Sequence, residues 1–191
     1  MKFLCYRWVG NGYEAFATVD LLPFEIYAHH NVQEPVTGMY VKSNKPITVA
    51  SAVQLMRPPP NTNSDFGPGI VFPPPVSTLG HTHILPPLAG RPVTTGYLAV
   101  VVAAHDDTQV TFGRDGLTTN VLGRGQNLTV QMSSPMPTTV KCSQPCLVVL
   151  VNRPRGTQRD LNSESFMMLV PSVGQTITAL SFNTFLSPDV R

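Results

Sequence analysis

Val41-Lys42-Ser43-Asn44-Lys45-Pro46-Ile47-Thr48-Val49 returns as Val140-Lys141-Cys142-Ser143-Gln144-Pro145-Cys146-Leu147-Val148, a displacement of 99 residues. A second phrase, Pro74-Pro75-Val76-Ser77-Thr78, returns as Pro171-Ser172-Val173-Gly174-Gln175, displaced by 97. Two landmarks in one order at nearly one spacing define a duplicated unit. Each copy sets polar turn residues and a proline between β-branched residues, which is strand and turn chemistry. The predicted fold is therefore all-β, an antiparallel β-sandwich-like architecture from two repeated hairpin-rich units of about 95–100 residues. The first, incomplete unit is expected over 1–95 and the second over 96–191, packed as one domain. Two blades of a propeller-like array accommodate the same pattern.

Composition supports this class. The chain has 191 residues, enough to bury a core, and 42% of them are hydrophobic. Charged residues make up only 13%, against a globular average of about 25%; neutral polar residues, glycine and 19 prolines stand in their place. Amphipathic helices rich in Lys and Glu have little material here. The formal charge of +2 and the scattered Arg153, Arg155 and Arg159 give no basic patch, so nucleic acid is not an expected partner. The longest apolar runs, Tyr97 to Ala104 and Leu147 to Val151, have strand length, and no membrane insertion is expected. Arg7, Asn11 and Glu14 interrupt any leader-like segment, which reads either as a cytosolic start or as a fragment whose start lies upstream.

Working outward from the second copy, Tyr97 to Ala104 and Thr108 to Phe112 read as an antiparallel hairpin closed by a tight turn at His105-Asp106-Asp107. Thr119 to Leu122, a Gly123-Arg124-Gly125 turn and the half-buried strand Gln126 to Met132 follow. Thr138 to Lys141 and Cys146 to Val151 read as a hairpin about Ser143-Gln144-Pro145. The polar stretch Arg153 to Ser165 and its counterpart in the first unit, Met56 to Gly69, read as exposed loops, the places where a β scaffold usually carries function.

Few residues suggest chemistry. Cys142 and Cys146 read either as a small disulfide closed in an oxidising compartment or as two buried thiols. Asn127-Leu128-Thr129 is an N-glycosylation sequon, making Asn127 a candidate acceptor. His81 and His83, at i and i+2 of an extended segment, share a face that suits zinc or copper, yet no third ligand stands nearby, and two solvent-facing histidines are expected. His29-His30 is weaker still. Asp106 and Asp107 read as turn formers. Trp8, Tyr13, Tyr27 and Tyr40 would stack on sugars if exposed and fill a core if not. Nucleophile elbow, P-loop and zinc-protease motifs are absent, and Gly113, Gly116, Gly123 and Gly125 read as hairpin glycines. No catalytic residue, cofactor or metal is expected.

The phrases also resemble a family. Val41 to Val49, Pro74 to Gly80, and Val101 to Val110 with Ala104, Asp107 and Thr108 are similar, in order, to phrases of the IgGFc-binding protein N-terminal domain family, and the resemblance runs from Leu21 to Phe185. It implies an extracellular, non-enzymatic interaction or structural module of a secreted, mucin-like or adhesive protein. The implied partners are extracellular proteins or glycoproteins, mucin-like or immunoglobulin-like, with no position marked as an antibody contact. The alternative is a carbohydrate-binding or hydrolase accessory β-module.

Overall fold

The structure, a computed structural model, describes residues 1–9, 12–30, 36–56, 67–88, 96–113, 118–132, 136–152 and 166–176. Among these the regular structure is strand and short 3-10 turn, all strand pairing antiparallel. Strands β1 (Lys2–Val9), β2 (Gly12–Asp20) and β3 (Tyr40–Ser43) form a three-stranded sheet in the order β2-β1-β3. Strands β4 (Ser51–Met56) and β5 (Gly67–Val71) form a two-stranded ribbon. The remaining strands, β6 (Gly80–Leu85), β7 (Tyr97–Ala103), β8 (Thr108–Phe112), β9 (Thr118–Leu122), β10 (Asn127–Met132), β11 (Thr138–Asn152) and β12 (Met167–Leu169), share one seven-stranded sheet. The all-β, sandwich-like reading holds, and none of these sheets is a four-stranded propeller blade.

β11 is the spine of the large sheet. Its first half lies between β6 and β8, and its second half between β12 and β7. The hairpin expected about Ser143-Gln144-Pro145 is therefore corrected: these residues are a bulge inside one 15-residue strand. The register shows why. Lys141 pairs with Thr82 and Cys146 with Gly80, so extra residues of β11 loop out without reversing the chain. Pro145 offers no N–H to the ladder, and a bulge is one of the few sheet positions that tolerates it.

The turn at His105-Asp106-Asp107 needs a similar correction. β7 and β8 do not pair with each other; they run end to end along β11. β10 pairs with β7 and β9 with β8, so these four strands form one long ribbon folded at a corner. Two turns stack at that corner. Asp106 Oδ1 accepts from the Arg124 N–H at 2.9 Å, and Gly125 N–H donates to the Ala103 carbonyl at 2.8 Å. Asp107 takes the left-handed conformation, φ 55°, which a short carboxylate side chain tolerates. The aspartates thus serve the turn, as their chemistry suggests, but the turn redirects a ribbon instead of closing a hairpin.

Burial follows the period-two alternation of strands. Tyr97, Ala99 and Val101 of β7 join Val140, Val148 and Leu150 of β11 in the main core. The alternate residues Leu98, Val149 and Val151 pack on the other face, against Val71 of β5. A sheet covered on both faces calls for near-continuous apolar strands, which is why 97–103 and 146–151 read as unbroken runs. Each fully buried Val or Leu side chain contributes about 1.5–3 kcal/mol relative to exposure.

The repeat spacings relate strand pairs as well as phrases. Displaced by the repeat spacings of 99 and 97, the pair Ser51↔Val71 becomes Leu150↔Met168, and Ala52↔Ile70 becomes Val151↔Met167; both are pairs of β11 with β12. The two proline phrases lead into matching 3-10 turns, Val76–Thr78 and Val173–Gln175. These turns touch: Gln175 Nε2 donates to the Thr78 carbonyl at 2.8 Å. β6, which precedes the expected boundary, pairs with β11, which follows it. Residue 95 at the expected boundary, residues 57–66 and the stretch 153–165 lie outside the described residues; the first expected loop, Met56 to Gly69, is corrected at its ends, where Met56 belongs to β4 and Gly67 to Gly69 to β5.

Candidate interaction surface

The N-terminal sheet meets the large sheet at the ribbon corner, and the contact is made of tyrosines. Tyr6 of β1 lies opposite Tyr40 of β3, with ring centroids 5.8 Å apart. Tyr13 of β2 joins them, 5.9 Å from Tyr40. Arg124, in the turn between β9 and β10, lays its guanidinium over two of these rings, 5.1 Å from Tyr13 and 4.6 Å from Tyr40. Tilted rings beneath a planar cation are an attractive arrangement, since the ring faces carry negative charge.

Two glycines permit this approach. Gly38 and Gly125 both adopt positive φ, 89° and 78°, and a Cβ at Gly38 would fall on the Gly125 carbonyl, while one at Gly125 would fall on the Tyr13 hydroxyl. The Tyr13 hydroxyl donates to the Gly38 carbonyl at 2.8 Å. Burial pushes the Tyr13 phenol above its usual value; the Arg124 charge opposes that, and Asp106 and Tyr40 add to it. Tyr13 is therefore a neutral donor at physiological pH.

Between these groups lies an open concavity of about 240 Å³ lined by Tyr6, Tyr13, Tyr40, Lys42 and Arg124. Lys42 stands two residues beyond Tyr40 on β3 and is exposed. Among the described residues neither Arg124 nor Lys42 has a carboxylate partner; the recorded ion pair is Arg7 with Glu14. Asp106, the nearest acid in the turn pair, is committed through Oδ1 to the Arg124 backbone. The arrangement presents guanidinium N–H groups held in place by stacking, a second cation, and phenol rings.

The residues singled out from the sequence are placed separately. Cys142 and Cys146 are joined at 2.04 Å across the β11 bulge, both sulfurs inside the main core. Cys5 is a free, buried thiol whose pKa burial raises. Asn127 and Thr129 are exposed on β10, an edge strand of the large sheet, and point to one face. The expectation of two solvent-facing histidines is corrected for His83, which is buried with Nδ1 2.9 Å from the Val170 carbonyl. His81 is exposed, its Nδ1 3.2 Å from the Cys142 carbonyl. The segment leading into the second 3-10 turn runs along the edge of β6 away from β11, through the His83↔Ser172 bridge, and its Val170 carbonyl meets the buried His83 ring. Among the described residues no three His, Cys, Asp or Glu side chains converge on a common point.

Of the four aromatics that stand out in the sequence, Tyr13 and Tyr40 meet. Tyr27 instead pairs with Phe3 at 5.5 Å, and the Trp8 side chain lies outside the described residues. Sequence reading missed Tyr6, Lys42 and Arg124. The i, i+2 spacing of Tyr40 and Lys42 on a strand was a usable signal; the arrival of Arg124 from a distant turn was not.

The family model described as IgGFc binding protein matches residues 9–188. No curated protein and no solved structure matches the chain. The match covers the ribbon corner, both copies of the repeat and every residue lining the concavity except Tyr6, and by it the chain belongs to the IgGFc-binding protein family.

Proposed function

We propose that the chain is a non-enzymatic extracellular interaction module of a secreted, mucus-associated or adhesive protein. The match to a binding-domain family over residues 9–188 carries this reading. Three features support it. The Cys142–Cys146 pair closes a loop in the core, a chemistry that persists in oxidising compartments. The sequon at Asn127 is exposed on an edge strand, where a glycan would also block edge-to-edge association. Charged residues make up only 13% of the chain. The two units, 1–95 and 96–191, act as one domain in this reading, because β6 of the first completes the sheet of the second. The partners are extracellular proteins or glycoproteins, with immunoglobulin and mucin-like chains the ones to test.

Expression through a mammalian secretory pathway, followed by non-reducing peptide mapping, tests the compartment. The expected result is a Cys142–Cys146 linked peptide and a glycan on Asn127. A secreted, folded chain with free thiols and bare Asn127 would contradict the extracellular reading.

A further inference from the structure

We propose that the concavity of Tyr6, Tyr13, Tyr40, Lys42 and Arg124 binds an acidic sugar, with Arg124 and Lys42 holding its carboxylate or sulfate and the tyrosines contacting its ring. The inference rests on the binding reading above and names a ligand class for one surface of it.

Three observations converge on an anion. The Arg124 guanidinium is fixed from below by two rings, its backbone is fixed by Asp106, and among the described residues no carboxylate pairs with it. A fixed guanidinium with free N–H groups suits an oxyanion, because its planar fork bonds two oxygens at once. Lys42 adds a second positive charge on the same rim, and among the described residues no acidic side chain lines the concavity.

The rest of the site argues for a sugar. Three of its five lining residues are tyrosines, which offer an apolar face to ring C–H groups and hydroxyls to polar substituents. At about 240 Å³ the space falls below the roughly 300 Å³ at which pockets for drug-sized ligands begin. A single ring with an acidic substituent fits that scale, whereas an extended peptide would engage only through one side chain. The concavity is also preorganised. The Tyr13 hydroxyl is tied to Gly38, and Gly38 and Gly125 hold the two sheets at a separation that no side chain at either position would allow.

Isothermal titration of the oxidised full chain with 3′-sialyllactose, 6-sulfolactose, lactose and a phosphotyrosine peptide tests the proposal. The expected result is saturable binding of at least one acidic lactose, weakening with added salt, with lactose at least about ten-fold weaker. The two acidic probes separate a carboxylate-selective site from a sulfate-selective one. Arg124→Gln is expected to weaken the acidic sugar about ten-fold. Lys42→Gln, at an exposed position outside the tyrosine stack, is expected to weaken it about three-fold without a change in thermal midpoint. Equal binding of lactose, tighter binding of the phosphopeptide, unchanged affinity in both variants, or no saturation by any sugar at about 10 mM would overturn it. Any of these leaves the disulfide and glycan of the secreted chain untouched, so the two readings fail separately.

Discussion

The two copies of the repeat share a ladder but not a setting. In the second copy Val148 and Leu150 are fully buried in the spine strand β11, and Cys142 and Cys146 are bridged beside them. In the first copy the matching segment carries Ser43 and Ile47 in place of the cysteines and is only partly buried, and its ribbon, β4 with β5, pairs with no third strand among the described residues. The same register, Ser51↔Val71 against Leu150↔Met168, thus serves a frame in one copy and a covering layer in the other. Local strand pairing is set by phrase and turn. The depth at which a strand sits is set by whether both of its faces are apolar.

The largest effect that separates the copies is expected in the core. Leu150→Ala should destabilise the chain by about 3 kcal/mol, through lost burial and the cavity left behind. Val49→Ala, at the first-unit position answering the buried Val148, should cost less than about 1 kcal/mol. Urea denaturation of both variants reads this, and equal losses would break the comparison.

The disulfide comes next. Replacing Cys142 and Cys146 together by alanine should cost about 2 kcal/mol, the loop-entropy value for so short a closure. Reduction of the unmodified chain should match it. A loss confined to the N-terminal sheet would show that the bridge does not brace the β11 spine.

Much of this was legible beforehand, and the failures are instructive. β7 through β10 follow from apolar alternation and Gly-Arg-Gly punctuation, with bounds within a residue or so. The two mistaken hairpins came from the same turn chemistry: Asp106-Asp107 and Ser143-Gln144-Pro145 punctuate a chain whether it reverses, turns a corner or bulges. Which of these occurs depends on β11 finding four neighbours, and that is a tertiary fact. The tyrosine site shows the same limit. Tyr13 and Tyr40 stand out in the sequence as aromatics, but their cation arrives from Arg124, a residue whose local context is only that of a turn.

A smaller effect is expected in alkali. Burial raises Tyr13 and Tyr97 above 10.0 and Cys5 above 9.0. The folded state thus favours the protonated forms; the stability they contribute is whole below the unfolded values and is lost as pH rises past them. The thermal midpoint should hold steady to about pH 9 and fall above it. Cys5→Ala should delay the loss in the N-terminal sheet, and Tyr97→Phe in the large sheet. Tyr97→Phe should cost nothing at neutral pH, because its buried hydroxyl has no hydrogen-bond partner among the described residues. A midpoint that rises in alkali would contradict the assignment.

Native-state hydrogen exchange tests most directly the claim that the second copy is the frame and the first a layer laid on it. The account predicts that amides of β7 and of β11 from Cys146 to Asn152 exchange only through global unfolding, while those of β3, β4 and β5 exchange through local opening at much lower free energy. Uniform protection of both copies, or slower exchange in β3 to β5 than in β11, would contradict it.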